Sequence, residues 1–323
     1  MQQAVFTHQR QEDQDRQIDN VVCDILQRIN SGETSFIYSG PMAAGKTAVT
    51  IKLAKQLSQE RIVNIYRLND NRSDPGQIFS RNSILGNSEN ICVRLFDFRD
   101  GINRIKEDIL NRAVTEGSAL FISEAQFAGN ESENHTNSKD WEELFRLAEE
   151  LGIIICDALS SFYNLQPVPD TQYLRNRIPN NFNMRACDSF DQTRFATMSM
   201  RMVAIDAQDG SVVDELDQQH SKYYMEVLSS DERLELIERV KFTEFSELLR
   251  TERNGRVCYL VPSHPTIDDS FIPGGNERYF PTSLKTCKKI LTAYGLNNVR
   301  SDYIQIFINN LREKKGYRLD VES

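Results

Sequence analysis

The chain has 323 residues, 39% hydrophobic and 26% charged, with a formal net charge of −9, values typical of a globular protein with one large or two smaller domains. The acidic balance argues against broad, salt-driven binding to nucleic acid or to an anionic membrane. The start, MQQAVFTHQRQEDQDRQ, has no apolar signal-like region, and no later run approaches bilayer-spanning length, so a cytoplasmic protein, or one exported without such a signal, with no membrane partner is expected.

In chain order, residues 1–17 read as a flexible N-terminus. Ile18, Val21, Val22, Ile25, Leu26 and Ile29 then recur at helical spacing and predict a helix over 18–30. The stretch FIYSGPMAAGKTAVTIKLAKQL, residues 36–57, organises the rest. Phe36, Ile37 and Tyr38 predict a strand that meets Gly40. Gly45, Lys46 and Thr47 open a segment whose Val49, Ile51, Leu53, Ala54 and Leu57 suit one side of a helix. A glycine turn capping an ordinary helix would use some of the same residues. Strand, glycine-bounded loop and helix together are the context in which G-x-x-x-x-G-K-[ST] is a phosphate site. Glycines admit backbone N–H groups to the phosphates, and the helix N-terminus adds partial positive charge. Gly40, Pro41, Met42, Ala43, Ala44, Gly45, Lys46 and Thr47 are therefore the candidate nucleotide-binding residues. Lys46 would reach the β- and γ-phosphates, and the Thr47 hydroxyl would bind Mg²⁺.

A second strand is predicted at 62–66, followed by a polar loop over 68–90 that contains Pro75 and Gly76 and is long for a plain connection. A strand at 91–96 and a helix carrying Ile102, Ile105, Ile109, Leu110 and Ala113 come next. Ala119 to Ile122 form a short buried strand ending in Ser123, Glu124, Ala125, Gln126 and Phe127. A flexible acidic connection over 128–140, a helix at 140–151 and a strand at 153–156 complete the series. Strands alternating with helices at this spacing imply an α/β fold with a mostly parallel sheet flanked by helices, a P-loop domain over 18–184. Ligands of such sheets bind beyond the carboxyl ends of the strands, where residues 40–47, Asp70, Glu124 and the segment after Cys156 converge.

After residue 185 the pattern changes. A strand within 194–205, a turn at 206–210 and a returning strand at 222–227 suggest a small β-ribbon over 185–230. A helix over 231–252, a short strand at 258–262, a loop over 263–282 and helices at 283–294 and 300–314 give a mainly helical C-terminal extension, 231–323. The six cysteines are scattered and form no C-x-x-C pair, so neither a disulfide framework nor a thiol metal site follows from them.

Four blocks, in order, resemble the thymidine kinase family of the P-loop type, the one with a zinc-bearing lasso. GPMAAGKT resembles that family's GPMFSGKT loop, including its Pro-Met pair. NDNRSDPGQIFSRNS resembles its D-x-R loop, LFISEAQFAG its I-D-E-[AG]-Q-F segment, and IICDALSSFYNLQPVP its A-L-D-x-x-F-x-x-x-P-F segment. The likeness spans roughly residues 34–230, and the ordered set is more specific than any block alone. It implies phosphoryl transfer from ATP to the 5′-hydroxyl of a deoxyribonucleoside, in DNA-precursor synthesis. On the matching positions Glu124 would be the general base, Lys46 and Thr47 would handle phosphates and Mg²⁺, Asp70 would assist the metal and Arg72 would sit among the phosphates. Phe127, Tyr163 and Tyr223 fall on substrate-binding positions. Tyr163 would stack on a base or serve as an ordinary core aromatic, and Glu124 would be a base or an edge carboxylate in a salt bridge.

Departures from the family are equally informative. Ser123 stands where an Asp is expected before the Glu, which removes a carboxylate from the Mg²⁺ region. Only Cys187 remains of the zinc cysteines; the other positions hold Phe190, Val227 and Ser230, so no structural zinc is expected. Gln218 and Gln219 replace lasso glycines, and Leu165 stands at an often basic position. Two functional classes follow. One is a kinase acting on a nucleoside or related small acceptor. The other is a nucleotide-binding pseudokinase that works through the extension. Residues 231–323 are read as packing, as an oligomer-forming surface or as the contact for a protein partner. A motor on nucleic acid is disfavoured by the acidic charge and by the lack of a basic, aromatic-laced segment.

Overall fold

The strand entering the predicted phosphate loop, Ser35–Gly40, is buried at every position, as a strand covered on both faces must be. The computed structural model describes residues 2–69, 74–80, 83–97, 100–129, 138–160, 162–163, 166–167, 169–191, 193–213, 229–262 and 278–295. The chain divides into two units, Met1–Ser161 with Val168–Ala186, and Phe162–Pro167 with Cys187–Ser323.

In the first unit, α1 (Gln2–Asn30), β1 (Ser35–Gly40), α2 (Lys46–Leu57) and β2 (Val63–Leu68) are followed by a hairpin, β3 (Gln77–Ser80) and β4 (Ser83–Gly86). Then come β5 (Ile91–Phe96), α3 (Gly101–Leu110), β6 (Ser118–Ile122), α4 (Ser138–Glu149), β7 (Gly152–Leu159), α5 (Pro169–Arg177) and β8 (Asn180–Asn183). Six strands make one sheet in the order β8, β1, β7, β6, β2, β5, and every pairing is parallel. The α/β fold read from the alternation is thus the fold of this unit. Neighbouring residues of β1 serve opposite faces. The Tyr38 hydroxyl meets Thr50 Oγ1 of α2 at 2.5 Å. Ile37 joins the core formed with Ile105 of α3 and Trp141, Leu144 and Phe145 of α4.

Two stretches of this unit differ from their sequence reading. Helix α1 starts at Gln2, so residues 1–17 continue the helix expected over 18–30 instead of forming a flexible terminus. The segment is rich in Gln, Glu and Arg, which cost a helix little, and it grows from a turn already fixed by buried Ile18, Val21, Val22 and Ile25. The loop over 68–90 contains the β3–β4 hairpin. Buried Arg67 organises its approach, donating from Nε to Gln77 O at 2.6 Å and from Nη2 to Asp74 O at 3.0 Å. Phe79 and Ile84 pair across the hairpin and remain exposed.

The second unit is built around β9 (Met198–Asp206), with α6 (Ser230–Lys241), α7 (Ser246–Leu249), β10 (Arg250–Arg253), β11 (Arg256–Pro262), β12 (Arg278–Thr282) and α8 (Leu284–Ala293). β9 pairs antiparallel with β11 and β12, β11 pairs with β10, and the short strand 162–163 lies parallel to β9. Met198, Met200 and Met202 of β9 share one core with Leu236, Ile237 and Val240 of α6 and with Cys287, Ile290 and Leu291 of α8. The ribbon expected within 185–230 and the extension expected at 231–323 therefore contribute to one hydrophobic core, and the described extension carries strands as well as helices.

The helix read over 231–252 ends at Lys241, where the Thr243 hydroxyl donates to Val240 O at 2.9 Å and Phe242 turns out to solvent. A capping box starts it: Glu232 N donates to Ser229 Oγ at 3.3 Å, and Ser229 N to Glu232 Oε2 at 2.6 Å. Residues 278–282, read as loop, form β12. The returning strand at 222–227, most of the loop at 263–282 and the helix at 300–314 lie outside the described residues.

The single tryptophan, Trp141, is buried in the first unit and gives that unit its own fluorescence signal. Ile25→Ala, at a fully buried position of α1, is expected to lower the urea stability of this signal by about 2–4 kcal/mol. Cys23→Ala, on the exposed side of the same helix, should change it by less than about 0.5 kcal/mol. Equal effects of the two would show that α1 does not pack as described.

Candidate functional site

The loop between β1 and α2 makes two demands that glycine meets. A Cβ on Gly40 would lie 2.5 Å from Met184 O, and one on Gly45 would lie 2.8 Å from Ile18 Cδ1. Gly45 also has φ +91°, in the left-handed region, and begins α2 as its N-cap. Pro41 and Ala44 are buried, Met42 is half-buried and Ala43 is exposed with φ 61°. Lys46 is buried, and its Nζ donates to Gly40 O at 3.2 Å and to Pro41 O at 3.1 Å. The ammonium is thus held inside the loop by neutral carbonyls, a weak hold compared with an ionised acceptor. Thr47 is the second residue of α2 and half-buried. A glycine-bounded loop, a helix N-terminus and an enclosed ammonium form a donor set that fits a polyphosphate.

The order of the strands brings the second half of the site to the loop. β7 lies between β1 and β6, so the carboxyl end of β6 and the phosphate loop face each other across a single strand. β6 ends at Ile122, which pairs with Cys156 of β7, and the residues that follow, Ser123 and Asp157, come abreast. Glu124 begins a short 3-10 turn (Ala125–Phe127) in a left-handed conformation, φ 55° and ψ 44°. For a residue with a Cβ this backbone costs on the order of 1 kcal/mol and needs outside support. Asp157 Oδ1 accepts from Glu124 N at 3.0 Å, and Phe127 N donates to Glu124 O at 3.0 Å. The Glu124 side chain is also held: Gln126 Nε2 donates to its Oε2 at 2.6 Å, while Gln126 Oε1 accepts from Leu159 N at 3.0 Å.

Asp157 was not among the residues singled out in the sequence, and it links the two halves. It is buried, its Oδ2 accepts from Thr50 Oγ1 of α2 at 3.1 Å, and Ser123 follows the neighbouring strand beside it. Burial pushes its carboxyl up to about 6, the Glu124 charge pushes the same way, and the Glu124 N–H, the Lys46 ammonium and the Ser123 hydroxyl oppose the rise. Tyr38 is raised by burial first and by the Asp157 charge second. The available signal was a carboxylate inside the apolar run IIICDAL, a position where an unpaired acid is costly.

Helix α1 adds a contact that the sequence reading also lacked. Gln14 Nε2 donates to Ala43 O at 2.5 Å, Gln17 Nε2 to Arg185 O at 3.0 Å, and Arg185 N to Gln17 Oε1 at 2.9 Å. The remaining candidates are placed elsewhere or lie outside the description. Phe127 is half-buried against the core of α3 and α4. Tyr163 stands in the short strand beside β9 in the second unit, its side chain outside the described residues. Asp70, Arg72, Leu165, Gln218, Gln219, Tyr223 and Val227 are outside them altogether. Of the positions matching zinc cysteines, Phe190 packs on Phe280 with ring centroids 5.3 Å apart, and Ser230 begins α6. Among the described residues no three of His, Cys, Asp and Glu gather as a metal cluster.

Asp157 also yields a pH signature. The unfolded chain releases this proton near 3.8 and the folded chain near about 6, so the folded state holds more protons between those values. Stability from this group is full below the lower value and is lost as pH rises to the upper one. Asp157→Asn, neutral throughout, is expected to melt close to the parent near pH 4 and to gain on it progressively towards pH 6. A melting difference that stays constant over that window would contradict the assignment. No family model matches the chain and no curated protein matches it, so the functional reading rests on these residues and their placement.

Proposed function

We propose that the chain is an ATP-dependent phosphotransferase resembling the thymidine kinases, acting on the hydroxyl of a nucleoside or a related small acceptor. One observation carries this reading: a glycine-bounded loop encloses Lys46 at the start of α2, and Asp157 ties that helix to the turn bearing Glu124. A phosphate-binding half and a proton-accepting half, joined by buried hydrogen bonds, is what phosphoryl transfer asks of a protein. The reaction needs positioning and charge neutralisation more than covalent chemistry.

In this reading the backbone of Gly40 to Thr47 and the Lys46 ammonium bind the phosphates, and the Thr47 hydroxyl holds the cation. Magnesium ATP, when bound, supplies the phosphoryl group and part of the charge neutralisation. Glu124 accepts the proton of the acceptor hydroxyl at its carboxylate, and Gln126 keeps that carboxylate from rotating away. Asp70 and Arg72 are proposed to assist the cation and the phosphates, and Phe127, Tyr163 and Tyr223 to contact the acceptor. A second reading, a nucleotide-binding pseudokinase, is favoured by Ser123, which places a neutral group where the family has a carboxylate.

The decisive assay is transfer from γ-labelled ATP with Mg²⁺ to a panel of deoxyribonucleosides, ribonucleosides and nucleotides. Labelled product from one acceptor class, lost in Lys46→Ala, is the expected result. Glu124→Gln should lower turnover by about 10²–10⁴-fold while ATP still binds. ATP binding with no transfer to any acceptor would favour the pseudokinase instead.

A further inference from the structure

The carboxylate missing at position 123 has a neighbour. Ile122 and Cys156 pair in parallel register, so Ser123 and Asp157 leave their strands side by side. The two side chains therefore address the same volume. Lys46 attracts Asp157 from the phosphate-loop side, and Thr50, one turn along α2 from Lys46, donates to its Oδ2. We propose that Asp157, reaching from β7, supplies the negative charge at the divalent-cation position that Ser123 leaves uncharged, so that the site keeps its carboxylate on the neighbouring strand. This rests on the reading that the phosphate loop binds a nucleotide together with a divalent cation.

The chemistry of the position supports a role for the charge itself. Glu124 N and Thr50 Oγ1 both donate to Asp157. A neutral acceptor would satisfy hydrogen bonds of this kind at far lower cost in a buried place. Asp157 is buried, and a carboxylate away from water is costly unless an opposite charge lies beside it. A bound cation supplies that charge. Magnesium in phosphate sites is bound through one or two carboxylates, with waters and substrate phosphates completing its shell. Asp157 with the Thr47 hydroxyl meets that requirement without an Asp at 123.

The test measures metal binding, not turnover. Mn²⁺ titrations followed by electron paramagnetic resonance, on the full chain with a non-hydrolysable ATP analogue, would compare the parent with Asp157→Asn, the double variant Ser123→Asp/Asp157→Asn and Thr50→Val. Asp157→Asn is expected to weaken Mn²⁺ binding by about ten- to a hundredfold. The double variant, with its charge moved back to the β6 side, is expected to recover most of that loss. Thr50→Val removes a hydrogen bond to Asp157 but no charge, and should stay within about twofold of the parent. Asp157→Asn binding Mn²⁺ as the parent does, a double variant that recovers nothing, or a Thr50→Val loss equal to that of Asp157→Asn would each overturn the proposal. Analogue binding in the presence of a chelator separates the two levels. A parent that binds no analogue overturns the nucleotide reading along with the proposal, whereas unchanged analogue binding with unchanged Mn²⁺ affinity in Asp157→Asn overturns the proposal alone.

Discussion

A buried carboxylate between two elements constrains both of them, and Asp157 is in that position. Its oxygens accept from Thr50 on the helix after the phosphate loop and from the backbone of Glu124 on the turn after β6. Neither partner is free to move without leaving a buried acceptor short of a donor, a loss of about 1–3 kcal/mol for each. The left-handed backbone at Glu124 is therefore held from β7, the strand that separates it from the phosphate loop. The distance between the two halves of the site is set by two inter-strand spacings, about 9.6 Å, and not by flexible side chains.

How much of this was legible in the sequence depends on the range of the cause. β1, the loop and α2 were readable because their signals are local: an apolar run, glycines at fixed spacing and a helical apolar stripe, with Gly45 at the one position in the loop where a glycine takes a left-handed φ. The parallel sheet was readable from alternation. The β3–β4 hairpin was not, since its approach is fixed by Arg67 donating to backbone carbonyls seven and ten residues further on. Asp157 was hidden for a similar reason. Inside IIICDAL it looks like an interruption, and its meaning appears only once β7 is known to run between β1 and β6, an order that no local pattern encodes. The polar first half of α1 has no apolar stripe to announce it, and its Gln14 and Gln17 find their partners on the phosphate loop and at Arg185.

The second unit is held by packing. β9 is paired on both sides by strands from the C-terminal region, and its alternate methionines are buried against α6 and α8. Phe190 packs on Phe280 and belongs to that core. Burial of apolar side chains contributes stability that grows with area, at about 25 cal/mol per Å².

The edge strand β8 has a bearing on how the protein is made. Phe36 pairs with Asn180, and Gln17 is bonded in both directions to Arg185, so the first elements of the unit are completed by its last. During synthesis β1 and the loop after it leave the ribosome long before β7 and β8, so both sides of β1 must wait as open edges, the β8 side longest. Between the two, the chain also departs for the second unit at Phe162–Pro167 before it returns. Contacts this distant in sequence close slowly, because the entropy of the loop must be overcome before they form. Newly made chains therefore expose a hydrophobic, hydrogen-bonding strand edge for a time set by translation, which is the interval in which a chaperone would find them.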